Sequence, residues 1–269
     1  MSKFDLKDRL DSILYRAYNA ISDGVFFFNF KVKRLVKQNC SFASTHSGRC
    51  FILGTGPSLS SLTKEELQYI NSHTVFGVNS LYKSAVGRAV SPDYYVLIDN
   101  LYWTEWSEAF SEVRAVYEAD PPVFITDVRA REYAAGPGGK EPLFIHAKKY
   151  PVERMDFDLA RNIFAPMNVV SNAILSAIYM GFEEIFLLGC DYNAFCTQGQ
   201  GHCYDDGSEV AQVNYNLAFY LKYYHLTTEF HYLIARLASK QGVKVVNLTP
   251  GSLLDAYPRK SFQDCFKSC

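Results

Sequence analysis

Charge is scarce in this sequence and nearly balanced. In 269 residues, 27 Lys and Arg stand against 28 Asp and Glu, a net charge of −1. Without a basic field there is no general attraction for a polyanion, which argues against a nucleic-acid partner. Long apolar runs are also missing: stretches such as Val25 to Phe28 fall far short of the ~20 residues a membrane span requires. No secretory leader is expected, because Lys3, Asp5, Lys7, Asp8 and Arg9 precede any apolar run. The seven cysteines form no CxxC pair, so free thiols in a reducing, cytoplasmic compartment are the expectation. Cys196, Cys203 and His202 lie close in sequence but match no zinc spacing.

Aromatics are abundant, with 20 Phe and 19 Tyr. The first segment reads as helical, with Leu6, Leu10, Leu14 and Ala17 or Tyr18 at helical spacing. We divide the chain into an N-terminal helical extension over 1–48 and a single catalytic domain over 49–269. The extension mixes aromatics with Lys31, Lys33, Arg34 and Lys37. We read it as a helix packed on the core or on a second subunit, with peripheral contact to an anionic membrane as the alternative.

From Cys50 onward apolar runs alternate with helical segments. Cys50-Phe51-Ile52-Leu53, Thr74 to Val78, Tyr94 to Ile98, Val123 to Ile125, Leu143 to Ile145, Glu184 to Gly189 and Val243 to Leu248 read as strands. Val169 to Met180 reads as a helix stopped by Gly181, and a long helical region runs to Lys240. Ser61 or Thr63 caps the helix after the first strand, with Glu65 and Glu66 in its first turn. This alternation predicts an α/β, Rossmann-like, mostly parallel sheet with helices on both faces. In such sheets the carboxyl ends of the strands hold the ligand. Here those ends are polar or glycine-rich: Gly54 to Ser58, Asn79, Asp99-Asn100, Asp191-Tyr192 and Thr249-Pro250.

The turn Gly54-Thr55-Gly56-Pro57-Ser58 predicts backbone N–H groups offered to a phosphate. It is not a dinucleotide fingerprint, because Leu59 stands where the third glycine belongs and the second strand ends in Asn79 rather than an acid. No Walker lysine follows, so a P-loop is excluded as well.

Taken in order, several segments resemble the bacterial sialyltransferases of glycosyltransferase family 42 and related Rossmann-like proteins of surface-polysaccharide clusters. They are Gly54 to Leu59, Asn79, the block Ser171 to Asp191 with Gly181-Phe182-Glu183-Glu184-Ile185, and His225 to Leu253. The resemblance implies a GT-A-variant fold and inverting transfer from a CMP-sugar without an essential metal, magnesium being optional. It places the nucleotide on Gly54, Thr55, Gly56, Pro57, Ser58, Asn79 and Asn100, and the donor on Ser171 or Asn172. It places the general base on His225, found by counting back from Leu248, with His202 as the second candidate. Tyr192 and Tyr204 are expected to donate to the departing phosphate. Asp191 either caps the following turn or orients a ribose hydroxyl, and His231 is assigned to structure.

The expected reaction moves a sialic acid, Kdo or related nonulosonic acid to a glycan or lipid-linked glycan during lipopolysaccharide or capsule synthesis. A homo-oligomer and a location at the inner face of the membrane are both allowed. A second resemblance, through Gly56-Pro57-Ser58-Leu59, is to the 6-hydroxymethylpterin diphosphokinase-like proteins. It implies pyrophosphate transfer using magnesium and ATP, with Asp99 and Asp191 as candidate acids. A third reading is a non-catalytic nucleotide-binding subunit, and a methyltransferase is the weakest.

Overall fold

The computed structural model describes residues 3–136, 139–196, 201–207 and 216–266. Eight strands form one sheet: β1 (Arg49–Leu53), β2 (Thr74–Val78), β3 (Tyr94–Leu97), β4 (Val123–Asp127), β5 (Leu143–Lys149), β6 (Asn162–Phe164), β7 (Glu184–Leu188) and β8 (Lys244–Asn247). Their order is β6-β5-β4-β3-β2-β1-β7-β8, and every neighbouring pair is parallel. The strands are short and apolar because both faces are covered, as the sequence runs require. Only β6 had no signal in the sequence: three residues are too few to show a period.

The helices are α1 (Lys3–Phe28), α2 (Phe30–Lys37), α3 (Lys64–Asn71), α4 (Ala85–Ala89), α5 (Leu101–Thr104), α6 (Ala109–Val116), α7 (Arg131–Ala134), α8 (Val169–Met180), α9 (Leu217–Lys240) and α10 (Phe262–Phe266). One buried cluster joins α8 and α9 to the sheet through residues such as Ile174, Ile178, Phe230 and Ile234. The other joins α3 and α6 to the opposite face through Ile70, Phe110 and Val113. Thr63 and Glu66 close a capping box on α3. Gly181 ends α8 at φ +98, a conformation a residue with a Cβ avoids.

The chain leaves β1 for β2, walks outward to β6, then returns to the other side of β1 as β7. The loops after β1 and β7 therefore diverge, and the crevice between them is the switch point where α/β sheets bind ligands.

The N-terminal segment docks on the β5–β6 edge. Asn39, fully buried, donates from Nδ2 to the carbonyls of Phe144 and Leu159 (both 2.7 Å) and accepts from Phe144 N (3.1 Å). The apolar side of α1 does not pack on the core. Its polar side does the docking, while Leu10, Leu14, Ile21, Val25 and Phe28 stay exposed. Among the described residues, no helix is long and apolar enough to cross a membrane.

Candidate functional site

At the carboxyl edge of the sheet two cavities adjoin. The first, about 260 Å³, sits over the β1/β7 switch point and is lined by Gly54, Thr55, Gly56, Asn79, Asp191, Tyr192 and His202, with the start of α8 and the tyrosines of α9. The second, about 300 Å³, lies over β3 to β5 and is lined by Asp99, Asn100, Trp103, Asp127, Arg129 and Asn172. Asn79, Asn168, Val169 and Tyr223 line both, so the two are lobes of one cleft. A larger hollow of about 760 Å³ lies between α9 and Tyr150–Val152, away from the strand ends. None of the residues expected from sequence lines it.

The glycine turn is built differently from the sequence expectation. Gly54 N donates to Leu188 O and Gly56 N to Gly189 O, each at 2.8 Å, so neither glycine amide is offered to a phosphate. The glycines are needed instead for close packing of the β1 and β7 loops. A Cβ on Gly54 would lie 2.3 Å from Gly189 O, and one on Gly56 would lie 1.8 Å from Asp191 Oδ2. Asp191 fills that space and accepts from Ser58 Oγ (2.7 Å) and Ser58 N (3.3 Å). It thus caps the turn after Gly56 rather than the turn that follows its own strand.

The helix N-terminus that does face the cleft belongs to α8. Asn168 caps it by accepting from Ser171 N (3.2 Å), and Asn168, Val169 and Val170 all line the first lobe. Aligned peptide dipoles give such an end a partial positive charge suited to phosphate. Two asparagines beside it carry buried side-chain oxygens without partners: Oδ1 of Asn79, held at φ +47 after β2, and Oδ1 of Asn172. Buried polar atoms are nearly always hydrogen-bonded, so a pair of orphans in one cleft marks a place for donors of a ligand.

His202 and Asp206 form a dyad at the first lobe. The ring Nδ1 lies 2.7 Å from Asp206 Oδ2, and Cys203 N donates to Thr55 O (2.8 Å), tying this loop to the glycine turn. With Nδ1–H given to the carboxylate, Nε2 is left as an acceptor. His225 is not brought to the cleft. It is 69% exposed on α9, with Glu229 Oε1 4.0 Å from its Nε2. His231 is fully buried, bonded to Tyr257 OH (3.0 Å from Nδ1) and Ser171 Oγ (3.2 Å from Nε2). Burial lowers its pKa to about 3, so the ring is neutral.

Tyr192, at φ +59, bonds Thr227 through its hydroxyl and packs edge-on against Tyr224 and His231. Burial raises its pKa, which keeps the phenol a donor. Tyr204 is buried and stacks on His202 (centroids 5.1 Å apart), which makes it a support for that ring. Ser171 stands behind the cleft, bonded to His231. Pro57 and Ser58 turn away from the lobes, Ser58 toward Asp191.

The second lobe contains groups that no sequence signal marked. Arg129 donates to Asp127 from Nε (2.7 Å) and Nη2 (2.9 Å), and its guanidinium lies 4.4 Å from the Trp103 ring centroid. The chain's Asp-x-Asp, Asp156-Phe157-Asp158, is elsewhere: Asp156 pairs with Lys149 and Asp158 with Arg161. Among the described residues, no group of three His, Cys, Asp or Glu is placed to hold a metal.

Comparison with known proteins agrees with this architecture. No curated protein matches the chain by sequence. Among solved structures, the sialyltransferase CstII from Campylobacter jejuni in complex with CMP-3FNeuAc aligns at TM-score 0.50 and 16% identity, covering 79% of this chain and 86% of that one. Its complex with cytidine-5′-monophosphate aligns at 0.48 and 13%, covering 79% and 84%. The MAf glycosyltransferase from Magnetospirillum magneticum AMB-1 aligns at 0.44 and 14%, over 85% of this chain but 38% of that longer one. The alignment at TM-score 0.50, at 16% identity, shows the fold alone. The family model for 6-hydroxymethylpterin diphosphokinase MptE-like proteins matches residues 26–198, which begin at the end of α1 and include β7. That span carries the glycine turn, Asn79, the Asp127–Arg129 pair, the α8 N-terminus and Asp191, and the chain belongs to this MptE-like family.

Proposed function

We propose that the protein is a glycosyltransferase that moves an acidic sugar from a CMP-linked donor to a glycan or lipid-linked glycan. The observation that carries this reading is the two-lobed cleft: a nucleotide-sized lobe at the switch point opens into a second, polar lobe through Asn79 and Asn168. The nucleotide takes the first lobe, with its phosphate at the α8 N-terminus. The Asp127–Arg129 pair and Asn172 offer acceptors and donors in the second, the kind of set that reads sugar hydroxyls.

In the reaction an acceptor hydroxyl oxygen forms a bond to the anomeric carbon as the bond from that carbon to the phosphate oxygen breaks. The hydroxyl proton passes to His202 Nε2, Asp206 stabilising the resulting imidazolium, and the electron pair leaves with CMP. Charge gathering on the phosphate meets the α8 N-terminus, while the Tyr223 hydroxyl donates to Met167 O and that of Tyr192 is engaged by Thr227. Magnesium is not required by this scheme.

The family match favours one second reading, pyrophosphate transfer from ATP to a hydroxymethyl group. The readings separate by thermal stabilisation with CMP, CDP, UDP, ADP, ATP and NAD, with and without magnesium. A ligand at about 100 times its Kd adds about 2.7 kcal/mol. A shift with CMP independent of magnesium, followed by turnover of a CMP-sugar, supports transfer of the sugar. A shift with ATP and magnesium but not CMP overturns it. CMP binding without turnover of any CMP-sugar leaves a binding subunit.

A further inference from the structure

Helix α1 is amphipathic and faces the wrong way for a core helix. Tyr15, Asn19, Ser22 and Phe26 recur at helical spacing on the side that meets the protein. Tyr15 stacks on Tyr150 (3.7 Å), and Asn19 exchanges two hydrogen bonds with the Tyr150 backbone (2.9 and 2.7 Å). Ser22 donates to Lys148 O (3.1 Å), and Phe26 stacks on His146 (5.3 Å). The opposite side carries Leu14, Ile21, Val25 and Phe28, between 63% and 73% exposed. A helix that spends its polar side on its own protein has its apolar side reserved for something else.

The corner between α1 and α2 says what that is. Phe27, Phe28 and Phe30 project there, 61% to 73% exposed, and Lys33 Nζ lies 4.6 Å from the Phe27 ring. Lys31, Lys33, Arg34 and Lys37 follow, none of them ion-paired among the described residues. From Gly24 to Lys64 the chain contains no Asp or Glu at all. Exposed aromatics beside an uncompensated cationic helix are complementary to a bilayer interface of negative charge. A second copy fits less well. The described charges of α1, namely Arg9, Asp11, Arg16 and Asp23, cancel, so a pairing helix would bring no acidic surface to receive four cations.

We propose that the α1–α2 hairpin is an interfacial anchor that lays this apolar face into an anionic phospholipid bilayer. The anchor sits beside the second lobe: Phe26 stacks on β5, and α2 packs against the Val128–Ala130 turn that carries Arg129. Docking therefore holds that lobe at headgroup level, where a lipid-borne acceptor enters without leaving the membrane. The membrane contact stands whatever group the cleft transfers.

The test is flotation of the full chain with vesicles of phosphatidylcholine alone and of phosphatidylcholine mixed with phosphatidylglycerol, at low and high salt. Binding is expected only to the mixed vesicles and is weakened by salt. Replacing Lys31, Lys33, Arg34 and Lys37 by Gln one after another weakens it roughly fivefold each. Phe27→Ser, Phe28→Ser and Phe30→Ser together lower it at least about tenfold, with the melting temperature unchanged, since these side chains touch little of the fold. Equal binding to both vesicle types, or none to either, overturns the proposal. So does a stable dimer in solution that Ile21→Asp dissociates, because the face would then belong to a second copy.

Discussion

Nδ1 of His202, which lines the first lobe of the cleft, sits 2.7 Å from Asp206 Oδ2, while His225 stands 69% exposed on the far side of α9. The first ring is oriented by a carboxylate and the second is not. We therefore expect His202→Ala to lower kcat for glycosyl transfer by about 100- to 10,000-fold. Asp206→Asn should fall in the same direction by a smaller factor, because it removes the acceptor that sets the tautomer. His225→Ala should leave kcat within about twofold of wild type. Steady-state rates on the three variants decide the matter, and a large loss in His225→Ala alone would return the base to α9.

The Gly56–Asp191 contact gives a second prediction. A Cβ at Gly56 would stand 1.8 Å from Asp191 Oδ2, so Gly56→Ala must expel that carboxylate from its bonds to Ser58. The expected cost is about 1–3 kcal/mol, with weakened nucleotide binding. Asp191→Ala removes the closer of the two clashes and leaves Gly189 O 2.7 Å from that Cβ, so the double variant should still be destabilised, but by less than the sum of the singles, by about 0.5 kcal/mol or more. Additivity in urea denaturation would show that the contact does not set the turn.

Asn39 holds the N-terminal segment through three bonds to the backbone of β5 and of the segment before β6. Asn39→Ala strands those buried groups and should cost about 2–4 kcal/mol. Asn39→Asp keeps one acceptor but cannot donate, and should be no better. Chemical denaturation with intact nucleotide binding in the survivors is the measurement. A cost under about 0.5 kcal/mol would mean water replaces the side chain.

Much of the fold could be read from residues such as Cys50 to Leu53 and Glu184 to Leu188, whose apolar runs need both sheet faces covered. Val169 to Met180 was legible to the residue, because Gly181 can take a positive φ that ends a helix. The cleft was legible only in part. Asn79, Asn100, Asn172 and Asp191 lie at or near strand or helix ends, His202 lies in a loop, and all five line it. Asp127 and Arg129 become neighbours of Trp103 only through parallel pairing of β3 with β4, which no local pattern announces. Counting residues back from Leu248 reached His225 without regard to helix phase. Tyr220, Tyr223, Tyr224 and His231 share the side of α9 that lines the cleft, and position 225 turns away from it. The glycine turn carried a phosphate signal, yet its amides serve β7. The apolar stripe of α1 was equally visible, but periodicity cannot say whether a stripe faces core or lipid.

Fully buried His231 and half-buried His146 both contribute to the pH dependence of stability. His231 is lowered to about 3 from 6.5 by burial, and His146 to about 4 by burial first and then by Lys148. The unfolded chain takes up protons near pH 6.5 that the native state refuses until these lower values, so stability is full above pH 6.5 and declines as the pH falls. For His231, which no solvent reaches, the decline approaches about 1.4 kcal/mol per unit. Above about pH 5 few carboxylates titrate, which isolates the histidines. His231→Gln retains a polar partner for Ser171 and Tyr257 but cannot titrate, so it should flatten the dependence in that window while costing stability at neutral pH. Urea midpoints at several pH values on both proteins measure the two slopes. Equal slopes would show that the His231 ring takes up its proton in the native state, and that Ser171 and Tyr257 accommodate an imidazolium which the burial argues against.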